Sequence, residues 1–357
     1  MSNPALPSTS AFAVSASSIA YAAELAGPAF GNDGTDPAQM SMGIGPAFAG
    51  LGVWPFTYLV YMLVRTDHVR EGSWCSTRSM LSASYEFTTT NALGGQLLAA
   101  RNFVQLPSSI AAPSLAAFQS AFMCNGTLVT QPSGDVDTIT VYASPTLWNG
   151  VASFAVLDQL SANVEFAQPL TVTQQQSYIG AVDLSGGWIL AADENMSTQL
   201  LAQTESGGVV QFPLGIVGLA FLYNFCIPND NACPYLNTQL QLDITTAGLI
   251  LSGAITWWND SRILSQQQPG ALEPDYPIAM FSAPFELSNE WVRTKIQACC
   301  IAEFEFTGTT VGVKSLANAV TIVTAIPGAF MFAPVNQTLL ELSAVRRRRR
   351  RRTAGAR

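Results

Sequence analysis

Apolar runs of two kinds divide most of the chain. Some are short and rich in β-branched residues, and others repeat at helical spacing. DTITVYAS, Asp137–Ser144, reads as a strand. The following PTLWNGVASFAVLDQLSA sets Leu147, Val151, Phe154, Leu157 and Leu160 on one helical face. VEFAQPL and GWILAADE read as further strands. GVVQFPLGIVGLAFLYNF, Gly208–Phe225, is apolar throughout but interrupted by Pro213, Gly215 and Gly218, which predicts consecutive strands. TQLQLDITTAGLILSGAI is helical, with Leu240, Ile244, Leu249 and Ile250 on one side, and YPIAMFS is a strand. Strands alternating with helices predict an α/β protein with mainly parallel sheets.

Two runs need a decision. FAGLGVWPFTYLVYMLV, Phe48–Val64, is the most membrane-like stretch, but it holds Pro55 and its roughly 17 residues sit at the lower limit for a span. It is read as a buried strand pair. VSASSIAYAAEL near the start and AIPGAFMFAPV near the end resemble each other, each a turn of small residues before a short aromatic strand. The first residues, MSNPALPSTSAFAVSASSIAYAAEL, have no basic stretch and no long apolar core, so they do not read as a signal peptide.

Composition sharpens the picture. The chain has 357 residues, 48% of them hydrophobic and only 11% charged, enough to bury a large core in one two-lobed domain or two ordinary ones. The formal net charge of −8 conceals a division, because seven of the 16 basic residues form the run Arg346–Arg352. Without them, 16 − 7 leaves 9 basic residues against 24 acidic ones, a balance of −15. So acidic a body excludes nucleic-acid binding through the fold. The arginine run reads as a disordered tail, whose polyanionic partners would be RNA, lipid or an import receptor.

The candidate chemistry is sparse. There is one histidine, His68, in a polar turn-like stretch, and none of the six cysteines has CxxC spacing, so no metal site is expected. No Gly-x-Ser-x-Gly and no phosphate-cradling Walker loop occurs, and no cofactor is expected. The chain reads as a non-enzyme. Cys226 and Cys233 flank a Pro/Asn/Asp loop that a disulfide could close, with free buried thiols as the alternative. Asn-X-Ser/Thr sequons at Asn125, Asn195, Asn259 and Asn336 point toward secretion.

LQLDITTAGLILSGAITWWNDSRI carries a more specific signal. It resembles a segment of the phosphate-binding substrate-binding proteins of ABC transporters, through Leu242, Leu249, Gly253, Ile255, Trp258, Asn259, Asp260 and Ile263. Gly253 is expected to end a helix, Trp258 to pack the corner, and Asn259 and Asp260 to cap the next turn, a structural corner rather than a ligand contact. Pro213, Tyr223 and Asn224 match the same family, as do segments within Asp137–Val335 in the same order. The front of the chain resembles the family's last portion. SSIAYAAEL and VWPFTYLVYMLV look like its late strands, and LGGQLLAARNFVQLPSSIAAPSLAAF looks like its terminal helices, with Phe103, Val104, Leu106 and Pro107 matching.

The resemblance implies a periplasmic-binding-protein type II fold, two lobes with mixed or parallel sheets and a hinge. It implies residues 1–125 as the C-terminal portion of such a domain, 136–345 as the N-terminal and middle portions, and 346–357 as the arginine tail. The two portions are either a slice of a tandem array or one circularly permuted domain, which is the expectation here, because an unpaired third would expose a large apolar surface. The implied ligand is phosphate or a related oxyanion, and the implied place is extracellular, periplasmic or at the cell surface beside a membrane transporter or surface partner.

The implied site residues are Thr146 and Leu147 at a helix start, Asp193 as the acceptor of the oxyanion's proton, and Ser282 as a donor. Thr173, Gln175 or Ser177 would stand in for the family's glycine- and serine-rich loop. One departure weakens the site. Where the family has an arginine followed by a Ser-Gly-Thr run, this chain reads FSAPFELSNEW, with Phe281 in place of the arginine and Glu286 added. The local charge shifts by about −2, unfavourable by several kcal/mol in a dehydrated anion cleft. A binding domain without anion capture, used as a structural or adhesive module, is therefore the competing expectation.

Overall fold

The computed structural model describes residues 16–26, 56–65, 73–100, 103–121, 139–143, 164–166, 177, 187–192, 209–224, 240–267, 275–281, 292–293, 296–297, 300–306 and 316–334. The chain divides into two compact units. One comprises Ala20–Ile44 and Thr57–Val217, and the other Met1–Ile19, Gly45–Phe56 and Gly218–Arg357.

The first described element, α1 (Ala16–Ala26), corrects an expectation. SSIAYAAEL looks like a strand by its Ile and Tyr, yet it forms a helix. The five alanines of α1 favour helix, and Ile19, Ala22 and Ala23 fall at i, i+3 and i+4 and are all buried. Its proposed repeat partner holds the strand Ala329–Pro334, so the two stretches share composition but not structure.

The first unit contains β1 (Thr57–Arg65), α2 (Ser73–Thr90), α3 (Ala92–Ala100), α4 (Ser108–Ala121), β2 (Ile139–Ala143), β3 (Val164–Phe166) and β4 (Gly187–Ala192), with the beginning of β5 (Val209–Tyr223). Its strands lie in the order β3-β2-β4-β1-β5. β2 runs parallel to both β3 and β4. β1 is antiparallel to β4, with Tyr61 opposite Ala192 and Val64 opposite Ile189. The sheet is thus mixed, not mainly parallel. β1 carries an almost unbroken apolar run and is buried at every position from Thr57 to Val64, as expected of a strand covered on both faces.

Front and back segments of the chain share this unit's core. Met62, Val64, Leu81, Tyr85 and Phe118 pack with Val141 and Phe212 in one cluster. The rings of Tyr85 and Phe118 stack at 4.4 Å, and Phe212 meets Phe118 edge-on at 4.7 Å. The Tyr85 hydroxyl donates to the Pro213 carbonyl at 2.6 Å. Burial pushes its phenol well above the usual tyrosine range, and Ser114 draws it back only partly.

β5 is one 15-residue strand, where Pro213, Gly215 and Gly218 had suggested two. Pro213 lacks an amide hydrogen but uses its carbonyl to hold Tyr85. Gly215 passes the Val104 carbonyl, and the next residue, Ile216, exchanges both backbone bonds with Val104 at 2.9 Å.

The second unit holds the end of β5, α5 (Ile244–Leu251), α6 (Ser261–Leu264), β6 (Ala279–Met280), α7 (Leu316–Ala325) and β7 (Ala329–Pro334). β7 pairs antiparallel with β5 and parallel with β6. Phe281, Val320, Val323, Ala329, Met331 and Ala333 form a core cluster. Phe330 links three aromatics, stacking on Phe221 at 5.2 Å and meeting Trp258 edge-on at 5.7 Å; Phe221 in turn meets Phe56 edge-on at 5.2 Å.

α5 starts at Ile244, so Leu240 lies ahead of it and not on its face. The Leu240 amide instead donates to the Tyr223 hydroxyl at 3.0 Å. Two glutamines hold the approach to the helix. Gln266 accepts from the Asp243 amide at 2.7 Å, and Gln267 both accepts from the Gln241 amide at 3.0 Å and donates to its carbonyl at 2.5 Å.

Candidate functional site

The corner after α5 follows its sequence at Gly253, Trp258 and Asp260, whereas Asn259 bonds Asp275 instead of capping the next turn. Asp243 caps the helix start, accepting from the Thr246 amide at 2.6 Å. Gly253 ends it at φ 72°, the left-handed conformation that glycine enters without a Cβ penalty, and the Ile255 amide reaches back to the Leu249 carbonyl at 3.0 Å. Trp258 is fully buried, and its indole N–H donates to the Gly328 carbonyl at 3.0 Å. Gly328 is itself left-handed, at φ 74°.

Asp260 caps α6 through the Arg262 amide at 2.9 Å and pairs with the Arg262 guanidinium at 2.8 Å. The guanidinium and amide of Arg262 hold the Asp260 carboxyl down at about 2. Asn259 donates to the Asp275 carboxylate at 2.8 Å. The Trp258 indole N–H, the Asn259 Nδ2 and the Asp260 carboxylate are thus each engaged with protein.

Parallel strands in open α/β sheets send their ligand loops out at their C-terminal ends. β2 and β4 are adjacent and parallel, with Ala143 opposite Ala191, so both loops leave the same edge. Thr146 and Leu147 come shortly after β2, and Asp193 directly follows β4. Ser282 comes after β6, in the other unit. All four lie outside the described residues, as do Thr173, Gln175 and Glu286, so the structure brings none of them together. Ser177 is described and exposed.

Phe281, which the resemblance set against an arginine, is described. Its amide donates to the Phe330 carbonyl at 3.0 Å, and its side chain is 6% exposed within the β7 core cluster. The side chain serves packing.

Among the described residues no group of three or more His, Cys, Asp and Glu side chains could hold a metal ion. No described helix is long and apolar enough to cross a membrane. Cys300 is disulfide-bonded, and none of the described cysteines is free. The expected Cys226–Cys233 bridge lies outside the described residues, as do the helix expected after β2 and the first half of the expected strand pair before β1.

Fold and packing define a mixed-sheet α/β protein. No family model matches the chain, and no curated protein matches it. Among solved structures, a phosphate ABC transporter phosphate-binding protein from Streptococcus pneumoniae aligns at 10% identity and TM-score 0.27, covering 46% of this chain and 51% of that one. PstS from Borrelia burgdorferi aligns at 12% identity and TM-score 0.30, covering 57% of this chain and 74% of that one. A possible phosphate-binding protein from Planctomyces limnophilus aligns at 16% identity and TM-score 0.30, covering 58% of this chain and 67% of that one. The chain therefore spans about half the length of the Streptococcus protein.

Proposed function

We propose that this chain is a non-enzymatic oxyanion-binding protein of the two-lobed, hinged type, taking phosphate or a close relative outside the cytoplasm beside a membrane transporter. The observation that carries the reading is the β2–β4 register, which supports a shared origin for the Thr146–Leu147 and Asp193 loops at one sheet edge. In this reading backbone N–H and hydroxyl groups at a helix start receive the oxygens, and Asp193 accepts the proton of the hydrogen-bearing anion. The antiparallel β1–β4 pairing and the mixed composition of the first unit's core support one permuted domain in which residues 1–125 complete residues 136–345.

The buried Phe281 favours a second reading, a binding-type fold kept as a structural or surface-adhesive module. Isothermal titration of the full chain with phosphate, sulfate and a neutral sugar separates the two. Saturable one-to-one phosphate binding, silent sulfate, and loss in Asp193→Ala support the cleft. The variant also controls for the arginine run, because phosphate held by Arg346–Arg352 would survive it. Absence of heat from a cooperatively folded chain, or phosphate binding indifferent to Asp193, would remove the cleft and leave the module.

A further inference from the structure

Trp257 and Trp258 are adjacent and opposite in fate. Trp258 is fully buried, while Trp257 is 47% exposed, among the few large apolar side chains that the described surface presents. Its place is fixed by pairing with Pro277, as the Ile278 amide donates to the Thr256 carbonyl at 2.8 Å and the Trp258 amide to the Tyr276 carbonyl at 3.3 Å. The chain then turns tightly, with the Asp260 amide donating to the Trp257 carbonyl at 3.3 Å. Asn259 is the third residue of this turn. It is exposed and opens the sequon Asn259-Asp260-Ser261. An exposed indole and an acceptor asparagine are therefore two residues apart on one rigid turn, with the sequon serine two residues further on.

We propose that Asn259 carries an N-linked glycan whose first sugar lies over the exposed indole of Trp257. This rests on the passage out of the cytoplasm included in the proposed function. An indole offers a flat apolar face with a polar rim, and the carbon-bound hydrogens of a pyranose ring match it. Attachment is a substitution at the anomeric carbon of a lipid-diphosphate-linked oligosaccharide. Asn259 Nδ2 forms the new bond to that carbon, the bond from carbon to diphosphate oxygen breaks with its electron pair, and one amide proton passes to the transferase. One N–H stays on Nδ2, so the bond to Asp275 is compatible with the modification. The turn's other anchors, Trp258 on Gly328 and Asp260 on Arg262, use atoms that the sugar does not need.

The test is peptide mapping of the full chain isolated from its own cells, after enzymatic glycan removal that converts an occupied asparagine to aspartate. Conversion at position 259 is expected. Conversion at Asn125, Asn195 or Asn336 without position 259 would overturn the proposal and leave the secretory reading standing. No conversion at any of the four would overturn the proposal, and the secretory reading is tested apart from it by whether the chain is recovered outside the cytoplasm. Stacking is read separately, on chain secreted from a eukaryotic host. Preventing attachment by Ser261→Ala should lower Tm by about 2 °C with Trp257 present and leave the Trp257→Ala background unchanged, whereas equal shifts in both would refute the contact with the indole.

Discussion

Trp258→Phe is the sharpest test of the corner. The substitution keeps an aromatic ring facing Phe330 but removes the indole N–H and one fused ring. The lost hydrogen bond to the Gly328 carbonyl, 3.0 Å long and buried, is worth about 1 kcal/mol. The carbonyl is not left bare, because the Ala279 amide also donates to it at 2.9 Å. The smaller ring leaves roughly 40 Å³ unfilled, which at about 24 cal/mol per Å³ adds about 1 kcal/mol. The total is about 2 kcal/mol, against about 3–5 kcal/mol for Trp258→Ala. In urea, with a slope of about 2 kcal/mol/M, Trp258→Phe should lower the midpoint by about 1 M. Trp257→Ala on unglycosylated protein should move it by no more than about 0.25 M, since surface substitutions stay within about 0.5 kcal/mol. A Trp257 variant as damaging as the Trp258 variant would refute the assignment of buried and exposed partners.

Two further outcomes follow from the same structure. Gly328→Ala should cost at least about 2 kcal/mol in thermal unfolding, because φ is 74° and the new methyl would collide with the Pro277 carbonyl and come within 3.0 Å of the Tyr276 ring. Tyr85→Phe should cost about 1 kcal/mol at neutral pH by removing the donor to Pro213. It should also flatten the alkaline limb of the stability profile. The buried phenol's pKa is raised above its unfolded value of about 10, so its contribution is complete below that pH and is lost as pH rises beyond it; denaturant titrations at neutral pH and above pH 10 check the sign.

The α5 corner was legible because its signals are local. Gly253 and Asp260 each act on backbone within a few residues, so sequence spacing suffices to place them; the Asp243 cap was equally local and went unread. The short strands β2 and β4 were legible from β-branched and apolar runs. The α1 helix was not, since a nine-residue apolar stretch has no intrinsic preference strong enough to outvote its burial pattern. β5 misled in the other direction. Proline and glycine read as breaks, yet Pro213 and Gly215 are accommodated by Tyr85 and Val104, which lie more than 100 residues earlier in the chain. The four expected site residues lie outside the described residues, and an anion cleft depends on loops meeting across the fold. Sequence fixes which strand each loop follows, and says little about where the loop goes next. Phe281 is the exception, an apolar residue in the sequence and a buried core residue in the structure.

Tyr85 and Pro213, joined by one hydrogen bond, are 128 residues apart. A ribosome adding 5–20 residues per second needs on the order of 10 s to cover that interval. Met62, Val64, Leu81, Tyr85 and Phe118 are all synthesised before Val141 and Phe212 exist to cover them. During that time β1, apolar along its length, has neither β4 nor β5 beside it. The newborn chain thus passes through an interval in which its stickiest strand is complete and its neighbours are still messenger RNA, and the yield of folded protein depends on what shields that strand until they arrive.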